Sequence, residues 1–395
     1  MLPARGRAAG RATGRQAGHA AEREDGRGTG RQAGRAELQA GHTAEREDGR
    51  AERLDGRAER QAGRASSREV PLRHVILGID FGASKIATAA CGPDGTRLAS
   101  RTVPTKAGSG ARAVFDRGVS AARGLLTDTA AGSELAAVGV STVGIPFADR
   151  VELAPTISGW DNFALGEELH AAFAGAEIRL ATDVKAAARA EACWGALAGC
   201  DPAVYLNLGT GLAAAVVVGG QVLAGSHGAA GEIGYNLRGI DDVGLAINER
   251  TLLEHMVSGQ ALSHRATQTL RRRADAAEIL RSSSTLSVLV DEFVAELAFH
   301  LVNLAILVDP QRIAVGGGMV GSWERLRPGL EAALAAGVPF PPELVVAAFP
   351  FDAPLMGAIA LAAEAAAELP GMRGDGANDP ANPEPAATAG ASIQH

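Results

Sequence analysis

Two stretches of the sequence share one pattern, in which a buried strand runs into a glycine turn and a second strand returns from it. In the first stretch, residues 74–79 and 86–91 are apolar and Gly82 lies between them. The second stretch covers residues 203–218 and turns at residues 209–211. Apolar runs of this length predict strands, and glycine permits the tight turn between them. Two such hairpins, roughly 130 residues apart and each opening an α/β half, predict a duplicated fold with a cleft between two lobes.

The turns carry groups that could bind a nucleotide, because successive backbone N–H groups in a glycine turn point at one position where an anion can be held. The candidate residues are Asp80, Gly82, Ser84 and Lys85 at the first turn, and Gly209, Thr210 and Gly211 at the second. A third set, Gly316, Gly317 and Gly318, follows a strand at 312–315 and could present a flat backbone surface to an adenine. A fourth glycine-rich loop, residues 225–235, contains Glu232.

Each turn taken singly is also consistent with an ordinary hairpin, since glycine, aspartate and serine are common in turns. Lys85 is equally consistent with a solvated side chain. Four glycine-rich turns in this order favour a site for a nucleotide triphosphate.

The remaining segments alternate between strand and helix. Helical spacing of apolar residues and short apolar runs predict the following elements: a helix over 111–126, a strand over 135–143, a helix over 165–173, a strand over 177–180, and a helix over 184–197 that Gly199 terminates. This order predicts the α/β class.

Asp183 lies where the strand over 177–180 passes into the helix over 184–197. An aspartate at such a junction is commonly an N-cap, which accepts hydrogen bonds from the first free N–H groups of the helix. The same junction is the carboxyl end of a strand, where open α/β sheets bind ligands, so Asp183 is also a candidate general base.

Residues 1–69 are a different kind of sequence. AEREDGR occurs at 21–27 and again at 44–50, and the tract holds 15 arginines against 11 acidic residues. With almost nothing to bury, it should be disordered, and it lacks the apolar periodicity of a helix-turn-helix. We hypothesise that the tract is not functional and that translation starts near Val70 or Val75, which an intact-mass measurement would test. Residues 370–395 are predicted to be a disordered tail.

Composition excludes several classes of protein. The net charge of −7 with a basic N-terminal tract leaves an acidic body, which is a poor nucleic-acid binder. The three cysteines form no C-x-x-C pair, which indicates a reducing cytoplasm rather than a disulfide framework. No apolar run is long enough to span a bilayer.

With these motifs in order, residues 74–366 resemble the ROK family of repressors, open reading frames and sugar kinases, within the actin-like ATPase superfamily. GIDFGASK resembles the family's first phosphate motif, and NLGTGLAAAVVVGGQVLAGSHGAAGEIGY resembles its signature, with the second phosphate motif and the sugar-binding Glu232. TDVKAAARAEACWGAL corresponds to the segment with the catalytic aspartate, Asp183. VSGQAL after Glu254, LVDPQRIAVGGGM and DAPLMGAIALA match the end of the pattern. The resemblance implies a two-lobed actin-like ATPase fold of the ribonuclease H type.

The chain departs from the family pattern in its sugar site. It has Thr182 where family kinases usually have an asparagine before the catalytic aspartate, and Thr156 where they have an asparagine in the sugar loop. Tyr235 replaces the histidine that contacts sugar and holds zinc, and no cysteine follows Cys200. Zinc sites need four ligands, usually cysteine and histidine, so no zinc site is expected. The loop over 236–253 should then be held by packing, with the Tyr235 ring in the lost site.

The resemblance implies an ATP- and Mg²⁺-dependent kinase for a hexose or an N-acetylated aminosugar. Asp183 would be the general base, Mg²⁺ would bind with ATP near Asp80, and the sugar contacts would be Thr156, Thr182, Glu232, Tyr235 and Glu254. Family members are commonly dimers or tetramers, so a homo-oligomer is expected, without nucleic-acid or membrane partners. The alternative is a sugar-binding sensor or regulator without catalysis and without a DNA-binding domain.

The expected domain boundaries follow from these segments. We expect an N-terminal lobe over 74–182, a C-terminal lobe over 183–351, and a helix over 352–368 that returns to the N-terminal lobe.

Overall fold

In the computed structural model the described residues are 72–281, 286–370 and 372. The arginine-rich tract at 1–69 and nearly all of the tail from 370 onward lie outside them, so the expectations for those two segments stay predictions.

Twelve strands lie within the described ranges. They are β1 (His74–Phe81), β2 (Lys85–Cys91), β3 (Arg97–Pro104), β4 (Glu134–Thr142), β5 (Ile145–Pro146), β6 (Val151–Glu152), β7 (Glu177–Thr182), β8 (Ala203–Leu208), β9 (Leu212–Val218), β10 (Gln221–Val222), β11 (Arg312–Gly316) and β12 (Glu343–Val346).

The strands form two five-stranded sheets with the same internal order. The first sheet runs β3-β2-β1-β4-β7 and the second β10-β9-β8-β11-β12, while β5 and β6 form a small ribbon. In each large sheet the first three strands pair antiparallel with one another, and the last three strands are parallel. The chain is therefore a duplicated α/β structure, as the two glycine-turned hairpins predict.

Eight α-helices lie within the same ranges: α1 (Ala111–Thr129), α2 (Leu165–Ala172), α3 (Asp183–Trp194), α4 (Gly259–Leu270), α5 (Ala276–Arg281), α6 (Ser287–Val308), α7 (Trp323–Gly337) and α8 (Ala353–Glu368). None of them is long and apolar enough to cross a bilayer.

Helices cover both faces of each sheet, so that the core forms four apolar layers. On one face of the first sheet α1 packs mainly against β2 and β3, and Trp160 lies in the same apolar cluster, while on the other face α8 packs against β1 and β4. The second sheet is covered by α4 to α7 on one face and by α3 on the other. The apolar runs of β1, β4 and β8 are buried on both faces, as is usual for strands at the centre of an α/β sheet.

Glycines allow α8 to approach its neighbours backbone to backbone. A Cβ on Gly139 of β4 would lie 1.9 Å from the carbonyl oxygen of Ala358, and one on Gly357 would lie 1.8 Å from that of Ala186 in α3. Such distances leave no room for any side chain. Helix α8 thus packs against both the first sheet and the helix that begins with Asp183.

The structure differs from the predicted elements at two places. Strand β3 has no fully buried residue, and its sequence therefore lacks the apolar pattern of a strand. The helix predicted over 184–197 ends at Trp194, because the Glu191 carboxylate folds back and accepts the N–H groups of Ala196, Ala348 and Phe349. Gly199 lies in the following turn with a φ of 74°.

Candidate active site

The first glycine turn joins β1 to β2 and is pinned from the end of β3. Gly82 N–H donates to the Lys85 carbonyl at 3.1 Å, which closes the turn. Thr105 is fully buried, and its hydroxyl donates to the Gly82 carbonyl at 2.6 Å while its N–H donates to the Ser84 carbonyl at 3.0 Å. Ser84 and Lys85 are exposed. The turn is therefore rigid in its backbone and presents its side chains outward.

Asp80 lies just before this turn and is buried beside β4. The parallel register of β1 and β4 places it opposite Ser141, whose hydroxyl donates to Asp80 Oδ1 at 2.7 Å. Burial raises the pKa of Asp80 to about 7; the Ser141 hydrogen bond opposes this rise, and the charge of Asp183 adds to it. Oδ2 faces the turn, 3.6 Å from the position a Cβ on Gly82 would occupy. A carboxylate oxygen directed at a phosphate-sized turn fits the hard oxygen-ligand preference of Mg²⁺.

Asp183 is the first residue of α3, at the carboxyl end of β7. The N-cap of the helix is Thr182, whose hydroxyl accepts the Lys185 N–H at 3.2 Å, so the helix cap and Asp183 are different residues. Asp183 Oδ1 accepts the N–H of Val184 at 2.8 Å. Burial raises the pKa of Asp183, while that same hydrogen bond and the charge of Lys185 lower it.

The second glycine turn, between β8 and β9, rests on Glu254. Gly209 N–H donates to the Gly211 carbonyl at 3.1 Å, and Leu212 N–H donates to Glu254 Oε2 at 3.0 Å. A Cβ on Gly211 would lie 2.4 Å from the same carboxylate oxygen, so only glycine fits there. The charge of Glu254 also raises the pKa values of Asp183, Glu232 and Tyr235. Glu254 thus connects the second turn to the group around Asp183.

Glu232 faces this group from the glycine-rich loop over 225–235. Its Oε1 lies 3.8 Å from Nζ of Lys185, which is buried in the first turn of α3. Burial raises the pKa of Glu232, and Lys185 lowers it. Lys185 was missed by sequence reasoning, although its place two residues after Asp183 in a helix N-terminus was a usable signal.

Tyr235 and the two threonines of the predicted sugar site differ in their surroundings. Burial raises the pKa of Tyr235, and the charges of Glu254, Glu232 and Asp161 raise it further. Thr156 is exposed in a turn after β6, and the residue of that loop whose charge reaches Tyr235 is Asp161. The Thr182 hydroxyl caps α3 by accepting the Lys185 N–H. Sugar contacts from either threonine stay predictions.

The loop after Tyr235 is held by arginines rather than by the tyrosine ring. Arg250 donates to the carbonyl oxygens of Tyr235 and Asn236 at 2.6 and 3.0 Å, and Arg238 pairs with Glu296 of α6. The expected packing accounts for only part of this loop, because several of its apolar side chains are exposed, namely those of Leu237, Ile240, Val243, Leu245 and Ile247.

The third glycine set lies beside the second turn. Gly317 has a φ of 88°, and a Cβ there would lie 2.6 Å from the carbonyl of Leu208. Gly316 is buried against the Tyr205 hydroxyl, whereas Gly318 lines a cavity of about 440 Å³ together with Gly209, Thr210 and Gln260. This volume lies in the range of small-molecule sites. A larger cavity of about 710 Å³ between α6 and α7 contains none of the predicted site residues.

The two turns therefore meet at one cluster of acidic groups. Asp80 ends the first hairpin strand, Asp183 interacts electrostatically with both Asp80 and Glu254, and Glu254 supports the second turn. A nucleotide-sized cavity opens at the second turn on one side of this cluster. The arrangement puts two glycine turns, each able to hold an anion, beside a group of carboxylates that includes Asp183.

The sequence pattern of the ROK family matches residues 76–365, well over half of the chain. The chain belongs to the ROK family. Its predicted fold class, a two-lobed α/β fold of the actin-like ATPase type, is confirmed.

Among ROK proteins, the chain is 29% identical over 267 residues to a glucokinase of Streptomyces coelicolor, which covers 62% of this chain and 81% of that one. It is 30% identical over 294 residues to an N-acetylmannosamine kinase of Shigella flexneri, which covers 73% and 98%. The crystal structure of a ROK family glucokinase from Streptomyces griseus, in complex with glucose and AMPPNP, superposes with a TM-score of 0.61 at 26% identity and covers 73% and 99%. All three of these relatives are named as sugar kinases.

Proposed function

We propose that this ROK protein transfers the γ-phosphoryl group of ATP to a hydroxyl of a hexose or an N-acetylated aminosugar. The observation that carries the proposal is the position of Asp183 at the carboxyl end of β7 and the start of α3, where its charge acts on Asp80 at the first glycine turn and the charge of Glu254, which supports the second turn, acts on it. The glucokinase and N-acetylmannosamine kinase relatives support the class of substrate.

Asp183 acts as the general base in the proposed reaction. The sugar oxygen attacks the γ-phosphorus, the bond to the β-phosphate oxygen breaks, ADP leaves, and the hydroxyl proton passes to an Asp183 carboxylate oxygen. Burial raises the pKa of Asp183 above that of an ordinary aspartate, which makes it a stronger proton acceptor. Such a base contributes roughly 10²- to 10⁴-fold to a rate.

The glycine turns bind the phosphates in this proposal. The N–H groups of residues 82–85 and 209–211 and the hydroxyls of Ser84 and Thr210 act on the β- and γ-phosphates, with Lys85 as a nearby charge. Mg²⁺ would be held by Asp80, and when bound it neutralises charge on the phosphate oxygens. The adenine end is assigned to the 440 Å³ cavity beside Gly318.

The sugar is assigned to the side of Asp183 that Glu232, Glu254 and Tyr235 line. Carboxylates placed to accept hydrogen bonds from sugar hydroxyls discriminate strongly against analogues that lack them, because the buried acceptors are then left unpaired. A homo-oligomeric, cytoplasmic protein without nucleic-acid or membrane partners completes the proposal, in keeping with a metabolic kinase that uses cellular ATP.

The test is ADP release from Mg·ATP over a panel of hexoses and N-acetylated aminosugars. We expect turnover with at least one sugar, and we expect Asp183→Asn to lower kcat by 10²-fold or more while its far-ultraviolet circular dichroism and unfolding midpoint stay close to those of the wild type. Asp116→Asn on the exposed face of α1 is the matched control and should leave kcat unchanged.

Two results would contradict the proposal. Wild-type turnover in Asp183→Asn would remove Asp183 from the role of base. An inactive wild type that still binds a sugar in calorimetry would favour the alternative, a sugar-binding sensor without catalysis.

A further inference from the structure

Lys185 is a buried cation inside the candidate sugar site. It lies in the first turn of α3, its side chain is only 8% exposed, and its N–H is fixed by the Thr182 hydroxyl. Its Nζ lies 3.8 Å from Glu232 Oε1, and its charge also acts on Asp183. A lysine is rarely buried unless it is paired, so the burial of Lys185 indicates that its charge has a function in this site.

The two glutamates of the site are held by different means. Glu254 Oε2 accepts a backbone N–H from Leu212, so β9 itself fixes the carboxylate. In the part of the chain that the structure describes, Glu232 accepts no backbone hydrogen bond through its side chain, and Lys185 is its ion-pair partner. The direction of the Glu232 carboxylate therefore depends on Lys185, whereas that of Glu254 depends on the strand.

We propose that Lys185 is a positioning residue of the kinase reaction, whose ammonium group holds the Glu232 carboxylate on the sugar-binding side of Asp183. The inference rests on the proposed function and adds to it a lysine that none of the predicted roles includes. It also explains how a loop with a glycine-rich sequence, residues 225–235, can present a carboxylate in one direction.

Two charged groups act directly on Lys185, namely Asp183 on its own helix and Glu232 from the loop. These two carboxyls interact in turn with Glu254 from the short helical turn before α4, Tyr235 from the loop, Asp80 from the first hairpin and Tyr205 from β8, and Lys85 acts on Asp80. Acidic groups dominate this set. Removing the ammonium charge would therefore leave Asp183 and Glu232 facing like charges, which favours their protonated forms.

The first experiment replaces Lys185 by methionine, which keeps the length and the apolar stem of the side chain. With the sugar that the panel identifies, we expect Lys185→Met to raise KM for the sugar about 10-fold or more and to change KM for Mg·ATP little. We expect the acid limb of kcat/KM to move to higher pH by about one unit, because Asp183 must be ionised to accept a proton. Lys185→Arg should keep the sugar KM and the pH profile close to those of the wild type, since arginine keeps the positive charge.

Lys106→Met is the matched control, because Lys106 is exposed. It should leave both KM values and the pH profile as in the wild type. A Lys185→Met variant with a wild-type sugar KM and pH profile, or an arginine variant as impaired as the methionine variant, would overturn the proposal.

A double-mutant cycle then tests whether Lys185 acts through Glu232. The sugar Kd is measured by calorimetry for Lys185→Met, Glu232→Gln and the double variant. If Lys185 positions Glu232, the double variant should bind no more than about 2-fold worse than the weaker single variant. If instead the rise in sugar Kd of the double variant equals the product of the rises in the two single variants, Lys185 and Glu232 act independently and the inference is overturned.

Failure of the inference is distinguishable from failure of the proposed function. The proposed function fails if the wild type turns over no sugar of the panel. The same three variants can also be compared by urea unfolding of the full chain, which requires no activity. If the shifts of the unfolding midpoint in the two single variants do not add up in the double variant, the Lys185–Glu232 pair is supported, and if they add up, the pair is overturned.

Discussion

At the scale of single residues, Asp80 occupies a position that costs folding free energy. It is 7% exposed, and burial raises its pKa from the ordinary value of 3.8 to about 7. Because the folded state binds the proton more tightly than the unfolded state, wild-type stability is highest below pH 3.8 with respect to this group and falls as the pH rises towards 7. A carboxylate retained at such a cost fits a role in binding Mg·ATP.

Asp80→Asn should therefore stabilise the fold at neutral and alkaline pH. The amide has the shape of the carboxylate, can accept the Ser141 hydroxyl and carries no charge to desolvate. We expect the gain in unfolding free energy to be near zero at pH 4 and to grow to at most on the order of 4 kcal/mol at pH 8, measured by urea unfolding.

Asp94→Asn is the matched control, because the pKa of Asp94 is lowered by its hydrogen bonds to Thr96 rather than raised. It should show no stabilisation at pH 8. An Asp80→Asn variant that is no more stable than the wild type at pH 8 would show that Asp80 ionises without a large desolvation cost.

At the scale of elements, the loop over 225–235 approaches β9 through a glycine. Gly231 has a φ of +85°, and a Cβ there would lie 2.0 Å from the carbonyl oxygen of Ala214. Ala214 N–H also donates to the Gly231 carbonyl at 2.8 Å. This close contact places the neighbouring Glu232 against the second hairpin.

Gly231→Ala should displace the loop and with it Glu232. We expect a loss of unfolding free energy of more than 2 kcal/mol and a higher KM for the sugar, because backbone strain and a backbone clash add. Gly175→Ala is the matched control, since Gly175 has a φ of +93° but open space around it. It should cost about 1–2 kcal/mol from backbone strain alone and leave the sugar KM unchanged. Equal losses in the two variants would show that the contact with Ala214 is not limiting.

At the scale of the whole molecule, α8 connects the end of the described chain to both the first sheet and α3. Gly357 meets the Ala186 carbonyl, three residues after Asp183 along the same helix. The position of the candidate base is therefore set partly by a helix that lies about 170 residues later in the sequence.

Gly357→Ala should push α3 and α8 apart. We expect a loss of several kcal/mol in unfolding free energy and, in the protein that remains folded, a lower kcat, because small shifts of a reacting group reduce rates strongly. Gly108→Ala, in a short 3₁₀ turn where a Cβ meets nothing within 4 Å, is the control and should leave both quantities close to the wild type. A wild-type kcat in Gly357→Ala would show that α3 does not depend on this contact.

Local sequence alone determined the apolar strands, the glycine turns and the duplicated α/β order of this protein, but not the polar edge strand β3. Apolar runs and turn residues determine local structure over a few positions, so β1, β4, β8 and β11 could be predicted from their own sequences. Asp183 and Glu232 could be singled out because both lie in recognisable motifs.

Only the tertiary structure decided which groups face these residues. Ser141 lies beside Asp80 through the register of two parallel strands, Thr105 pins the first turn from another strand, and Lys185 meets Glu232 across 47 positions of sequence. The identity of such a neighbour depends on sheet register and on how helices pack, and neither quantity is encoded in the residues next to a motif. The charge environment that raises the pKa values of Asp80 and Asp183 exists only once both halves of the chain have folded together, because burial supplies most of it.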